Sequence, residues 1–484
     1  MNTSLGIDFG TTNSTLCYFD GADYRYVDLE DGRNTIPSLM YVDRQYYPTY
    51  GEAARTRFLE DNQRRQIKLE KTDLGYIQIT LGDNFSLYYE HTGFDPVPTT
   101  IDAKISGFTD RELPGFLFAS TKRLLGQNTV DSVKLFEKNI KLEAVVSSII
   151  QHMRKRSSNQ YAGSVTHGIC VGRPVNYECA GVDGQDACND LAVERMRNAL
   201  AYAEIAKYDF FLEPIAPVIA YLHESEEEPN QVILVLDFGG GTVDFSLLRK
   251  RGSKLQVVAN DGRPLGGDMI TERLIRDFVF PRMGLTDANL NELRSRHNYL
   301  GEMIPDILNW RTTYQLNQPK YFMQIAEATR LLPHEATKLN RIRLLIVQNF
   351  SYNVFLAVET AKKRLSDTTE VEIALDPIDI RFSLTRDDLE RSIDGYLDTI
   401  ETTVLSFCAE NGFESGRIGR VLLTGGTSLI PCIRRRIDQL FPRTVVPVDP
   451  FLSVVKGFAL GAWLQGERMI SLEENQMEID TELL

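Results

Sequence analysis

Cysteine and tryptophan are both scarce in this chain, with six and two respectively among 484 residues. None of the cysteines (Cys17, Cys170, Cys179, Cys188, Cys408, Cys432) forms a Cys-x-x-Cys pair. Neither a zinc framework nor a disulfide scaffold is therefore expected, and the thiols read as reduced and mostly buried. Apolar runs are short, and none approaches the ~18–20 residues needed to cross a bilayer. The N-terminus runs straight into a strand without the basic, apolar and small-residue segments of a secretion signal. Basic charge is in deficit: 53 Lys and Arg oppose 67 Asp and Glu, for a net charge of −14 and a pI near 5.1. That balance argues against nucleic acid or an anionic membrane as partner, and a cytoplasmic protein is the expectation. Two phosphate signatures are also missing. There is no Gly-Lys dipeptide, which excludes a P-loop. There is no Gly-x-Gly-x-x-Gly loop or His-Arg-Asp triplet, which excludes a protein-kinase reading.

What is present is ordinary in bulk and unusual in detail. The length suggests two or more domains, and 43% hydrophobic with 25% charged residues is normal for a globular protein. Asp-Phe-Gly, however, occurs twice. The first copy reads Leu5-Gly6-Ile7-Asp8-Phe9-Gly10-Thr11-Thr12-Asn13-Ser14. The second reads Val235-Leu236-Asp237-Phe238-Gly239-Gly240-Gly241-Thr242-Val243-Asp244. Each copy is an apolar strand, an acid, a Gly/Thr turn and a second strand. The turns are expected to use positive φ at Gly10 and at Gly239, Gly240 and Gly241. Backbone amides bare of Cβ atoms can nest a phosphate, and a strand-end carboxylate suits a hydrated Mg²⁺. Two such hairpins facing each other would grip a nucleotide's phosphates from both sides.

Further segments carry weaker signals. Gly425-Gly426-Thr427 follows an apolar strand and precedes a helix expected over residues 430–440, where backbone could approach a sugar or base. Residues 341–366 read as one long helix, with Glu359, Lys362, Lys363 and Ser366 on one face. Pro214 is expected in the first turn of a helix, with Glu213 at its mouth. Residues 224–228, rich in Glu, read as a solvated loop. Taken singly these are a glycine turn, a solvated ion pair and surface charges.

Taken in order, the motifs resemble the ATPase domain of the seventy-kilodalton heat-shock chaperones, within the actin, hexokinase and heat-shock superfamily. The matching segments are residues 8–14, 122–126, 171–174 (the family's proline switch), 213–214, 237–244, 265–268, 359–366 and 421–427. The resemblance implies an α/β, two-lobed actin-like ATPase fold with a central nucleotide cleft. Lobe I would span residues 1–230 with an insertion near 66–110. Lobe II would span 231–450 with an insertion near 286–333, and residues 451–484 would form a closing helix and acidic tail. It implies ATP or ADP with Mg²⁺ as cofactors and slow ATP hydrolysis. Asp8 and Asp237 would hold the metal through water, while Thr11, Thr12 and Thr242 would contact phosphate. Lys122 would stabilise charge on the γ-phosphate, with Glu213 and Asp244 positioning water. Gly10, Asn13, Gly239, Gly240, Gly241, Gly267, Gly425, Gly426 and Thr427 would line the nucleotide, and Glu359, Lys362, Lys363 and Ser366 would take ribose and adenine.

The chain departs from that pattern in four ways. The two insertions are the first two, and offer surfaces for a protein partner or client. Leu429 and Phe451 stand where typical members carry an arginine and an acid beside adenine. Finally, from the short stretch after Gly461 no peptide-binding domain is expected, as in the short members of the family, and Asp209 stands where typical members carry the basic residue that docks J-domain co-chaperones. Two rival readings are a sugar-kinase-like phosphotransferase and a nucleotide-gated interaction protein with little turnover.

Overall fold

The structure, a computed structural model, describes residues 3–62, 65, 67–80, 100–160, 165, 167–225, 230–252, 254–466, 470–473 and 476–480. Its architecture is α/β, and the sequence repeat proves to be a repeat of topology. In the first large sheet the order is Asp209–Leu212, Gly168–Arg173, Ser4–Phe9, Asn13–Phe19, Tyr24–Tyr26, with Thr35–Pro37 also on Asn13–Phe19. In the second it is Val445–Pro447, Arg420–Thr424, Asn230–Phe238, Val243–Arg251, Lys254–Arg263, then two C-terminal strands. Both sheets place two parallel strands on one side of an antiparallel hairpin, and a further antiparallel strand on the other. Asp8 and Asp237 occupy the penultimate position of corresponding strands, opposite Thr15 and Asp244.

Strand alternation explains how these sheets bury both faces. In Asn230–Phe238, Leu234, Leu236 and Phe238 enter one apolar core with Phe245 and Leu247. Ile233 and Val235, pointing the other way, enter a second core with Leu422 and Val455. The first hairpin divides likewise: Leu5, Ile7, Phe9 and Leu16 join the core of the first lobe, while Cys17 and Phe19 join the same second core as Ile233. That shared core contains the helices Ala216–Glu224 and Ser453–Gly466, which tie the two sheets beneath the cleft. Ser453–Gly466 lies so close to Ser4–Phe9 that the Ser4 hydroxyl donates to the Ala459 carbonyl at 2.6 Å.

Several sequence expectations need correction. Gly10 and Gly239 to Gly241 do not adopt a left-handed φ; what Gly10 and Gly240 allow is close packing. A Cβ at Gly10 would collide with the Asn13 carbonyl, and one at Gly240 with the Thr12 hydroxyl. The long helix over residues 341–366 is two helices, Ala336–Val347 and Ser351–Arg364. Asn349 breaks it with φ 51°, and the Phe350 amide closes back on the Leu345 carbonyl at 2.9 Å, a left-handed stop that an asparagine tolerates. Ser366 lies beyond the end of the second helix. Pro214 is in a turn; the helix begins at Ala216 with Pro217 in its first turn. The thiols are not all reduced: Cys179 and Cys188 form a disulfide with Cα atoms 5.7 Å apart. Gly181 and Gly184, both at positive φ, curl the chain so that helix Gln185–Tyr202 brings Cys188 back to Cys179. The other four cysteines are free and buried. Of the expected Glu-rich loop, Glu224 ends the preceding helix and residues 226–229 lie outside the described residues.

The segments expected as insertions have definite forms. Residues 69–110 contain a long hairpin, Leu69–Thr80 with Thr100–Asp110, in a two-stranded sheet of its own; residues 81–99 are outside the described set. Residues 286–333 hold helices Asp287–Ser295, Ile304–Leu308 and Pro319–Leu331. At the C-terminal end, strands Ile470–Glu473 and Gln476–Asp480 extend the second sheet, where only an acidic tail is expected from the sequence.

Candidate active site

Between the hairpins lies a cavity of about 160 Å³. Its walls include Gly10 to Ser14 from the first turn and Gly239 to Thr242 from the second, with Asp8, Lys122, Glu213, Asp237 and Asp244 among them. Residues as far apart in sequence as Asp8 and Asp244 are thus brought to one space by the paired sheets.

The second turn is held open toward this cavity by its own hydrogen bonds. Its Gly239, Gly240 and Gly241 carbonyls accept from the amides of Gly267, Asp268 and Gly266 at 3.0, 2.8 and 3.2 Å. A trans peptide sets its N–H opposite its C=O, so the amides of Gly240, Gly241 and Thr242 point away from that support. The first turn is braced by Ser38, whose hydroxyl donates to the Gly10 carbonyl at 2.8 Å and whose amide donates to the Thr12 carbonyl at 2.8 Å. Both turns are braced by hydrogen bonds, and amides held in place bind anions with little reorganisation.

The charges are set deep in protein. Lys122 is 5% exposed, in the short helical turn Thr121–Leu124 that follows Ser120 in a left-handed conformation (φ 56°). Its ammonium bonds the Glu213 carboxylate, which strand Asp209–Leu212 delivers to the cavity. Burial opposes the ammonium charge, but Glu213 and Asp8 together hold its pKa above the usual lysine value. The acids experience the reverse. Both Asp8 and Asp237 are walled by protein except on the cavity side. Burial, then Glu213, pushes Asp8 up to about 7 and Asp237 up to about 6, against the pull of Lys122. Asp244 is held well above the usual carboxylate range by burial, then by Asp237 and Glu213. One of its oxygens accepts from the Thr242 hydroxyl at 3.0 Å; the other has no hydrogen-bond partner among the described residues.

This donor set fits a hydrated divalent cation. Four acids face one ammonium, an excess of negative charge that a cation would relieve. Among the described residues no three acid, His or Cys side chains converge to chelate an ion directly. A Mg²⁺ that keeps most of its waters needs only one or two carboxylates.

The remaining expected site residues fall into two groups. Gly425 and Gly426 line the cavity, and Gly425 sits at φ 76° with its Cβ position 2.6 Å from Asp237 Oδ1. Thr427, Gly267, Lys362, Glu359, Lys363 and Ser366 are not in that wall. Thr427 and Lys362 support it from behind: the Thr427 hydroxyl donates to the Gly239 carbonyl at 3.0 Å. The Lys362 ammonium, with its pKa pulled down to about 8 by burial, donates to the Gly267 carbonyl at 2.8 Å and Thr271 Oγ1 at 2.9 Å. Glu359 and Lys363 pair at 2.7 Å, with Lys363 63% exposed. Sequence reasoning missed Arg123 and Glu178, which pair in the cavity wall, and Asn176 and Tyr177 beside them. Position was the available signal: Arg123 follows Lys122, and residues 176–178 follow the matched segment 171–174.

Comparison with known proteins agrees with this geometry. Residues 110–290 and 334–473 match the family model described as Hsp70 protein. The chain is 24% identical over 482 residues to heat shock 70 kDa protein 13 of Homo sapiens, covering 96% of this chain and 88% of that protein. It is 22% identical over 467 residues to chaperone protein DnaK of Akkermansia muciniphila and over 468 residues to the chaperone protein HscA homolog of Shewanella denitrificans. It spans only 58% of the length of each of those two. Among the described residues no helix is long and apolar enough to cross a membrane. The matched segments contain Lys122, Glu213, both arms of the second hairpin and the Gly425-Gly426 turn, and the chain belongs to the Hsp70 family.

Proposed function

We propose that the chain binds ATP and ADP with Mg²⁺ between its hairpins and hydrolyses ATP slowly, its lobes closing on the nucleotide. The observation that carries this reading is the single cavity lined by both Gly/Thr turns, with a strand-end acid from each. Phosphoryl transfer asks for positioning and charge stabilisation more than for covalent chemistry. The amides of the two turns would hold the phosphate chain, with the Thr11, Thr12 and Thr242 hydroxyls as further donors. Lys122 would place its ammonium where charge develops on the terminal phosphate. The unpartnered oxygen of Asp244, with Glu213 near it, would accept a proton of the attacking water and orient it. Asp8 and Asp237 would hold Mg²⁺ through water, and the ion would supply countercharge to the phosphate oxygens. A protein partner would meet the inserted helices, where Met323 stands exposed on Pro319–Leu331.

Single-turnover assays with radiolabelled ATP and Mg²⁺, with and without sugars, test the reading together with a thermal-shift titration. Ligand at 100 times its Kd should stabilise the fold by about 2.7 kcal/mol, and inorganic phosphate should be released. A phosphorylated sugar would favour the phosphotransferase reading. Stabilisation without turnover would favour the nucleotide-gated interaction protein, and no stabilisation would refute nucleotide binding.

A further inference from the structure

The cavity wall is of two kinds. One part is charged, with Lys122 and the four acids; another, formed by Gly425, Gly426, Pro450, Phe451 and Val454, carries no charge. Gly425 bridges the two, since its Cβ position is 2.6 Å from Asp237 Oδ1. At the next residue, Gly426, a Cβ would meet within 4 Å only Cε1 and Cζ of Phe451, at 3.0 and 3.1 Å. The ring therefore lies against bare backbone at Gly426, and Phe451 is 40% exposed although it lines a cavity.

The ring's backbone is held in place. The Pro450 carbonyl accepts from the Gly425 amide at 2.9 Å. The Asp449 carboxylate accepts from the amides of Phe451 and Leu452 at 2.9 and 2.7 Å. A partly exposed aromatic side chain in the cavity wall, carried on a backbone held by hydrogen bonds, is suited to meet a flat partner at little ordering cost.

Resting on the nucleotide reading above, we propose that Phe451 is a specificity-determining residue whose ring stacks on the nucleobase. Every base has a π-face, so stacking tolerates changes of base. The other side chain turned outward at this turn is Leu429, 48% exposed and with no hydrogen-bonding group to read a base edge. The ligand class is thus nucleoside triphosphates at large, purines ahead of pyrimidines because they offer more area.

Isothermal titration of the full chain with the Mg²⁺ complexes of ATP, GTP, CTP and inorganic tripolyphosphate tests this. The proteins compared are the parent, Phe451→Ala, Phe451→Leu and Phe451→Tyr. ATP and GTP should bind the parent within a few-fold of each other. Phe451→Ala should weaken both by about tenfold or more, a typical loss for one stacked base, and leave tripolyphosphate unchanged. Phe451→Leu, which keeps apolar bulk without a π-face, should behave as Phe451→Ala, and Phe451→Tyr should retain parent affinity. Unchanged ATP affinity in Phe451→Ala, or a strong ATP preference that survives it, overturns the proposal while nucleotide binding stands. A parent that binds neither ATP nor tripolyphosphate overturns the nucleotide reading and this proposal with it.

Discussion

Lys122 is the residue on which the site's electrostatics turn, because it is the ammonium bonded to Glu213 and it faces Asp8 as well. Its removal should act in two separable ways. Losing a preorganised charge at the developing phosphate should lower kcat about 10²–10³-fold with nucleotide affinity within a few-fold of the parent. Losing the partner of a buried acid should also cost roughly 3–5 kcal/mol of stability. The double variant Lys122→Ala/Glu213→Gln removes the orphaned charge as well as the ammonium. It should recover part of the stability lost in Lys122→Ala while remaining inactive. Urea midpoints and single-turnover rates of the three proteins check both halves; a Lys122→Ala variant hydrolysing at the parent rate would exclude the role given to Lys122. The chemistry of this residue was legible in the sequence only through resemblance. Its partner Glu213 is 91 residues away, and nothing local to either links them.

At the scale of elements, the lobes meet through an aromatic cluster. Phe58 on helix Gly51–Asn62 lies 5.9 Å from the Trp310 ring and 5.4 Å from Tyr352 on helix Ser351–Arg364. Trp310 and Tyr352 are 4.5 Å apart, and Arg311 reaches within 3.5 Å of the Ala119 carbonyl and Ser120 Oγ. The segment around Trp310 and Arg311, expected from the sequence as an insertion, thus touches the stretch that leads into Lys122. Each aromatic pair is worth about 0.5–1.5 kcal/mol, so Trp310→Ala, which removes the Phe58 pair across the lobes as well as the Tyr352 pair within the second lobe, should favour separated lobes. Dissociation of a fluorescent ADP analogue should accelerate about tenfold for roughly 1.4 kcal/mol lost; an unchanged rate in stopped flow would show that the cluster does not restrain opening. Both hairpins were readable from sequence because a turn and its flanking strands depend on adjacent residues. The break at Asn349 was not, since the apolar period continues through it and only the left-handed φ at that residue ends the helix.

For the molecule as a whole, helix Ser453–Gly466 is one of two helices in the core that joins the lobes. It packs on Ser4–Phe9 and shares a core with strand Asn230–Phe238. The approach requires glycine: a Cβ at Gly6 would lie 2.5 Å from the Val455 carbonyl oxygen and 2.6 Å from the Ala459 nitrogen. These are backbone atoms that cannot rotate aside. Gly6→Ala should therefore push the helix from the strand and cost about 1–3 kcal/mol, as overpacking does. A urea midpoint equal to the parent's would contradict that packing.

The sequence by itself determined the two Asp-Phe-Gly hairpins, the acids at their strand ends and, through the ordered motifs, the Hsp70 family. These follow from short spacings, where strand alternation and turn chemistry act within a few residues. Only the tertiary structure decided that Gly10 and Gly240 serve close packing rather than left-handed turns. It also decided that Cys179 reaches Cys188, that Lys362 braces Gly267 from behind the cavity, and that Phe451 lies against Gly426. The last two depend on where two distant backbones come to rest, and the disulfide on the curl at Gly181 and Gly184. Where those backbones rest is set by the filling of one core in each lobe and one shared between them, whose geometry no local run of residues specifies.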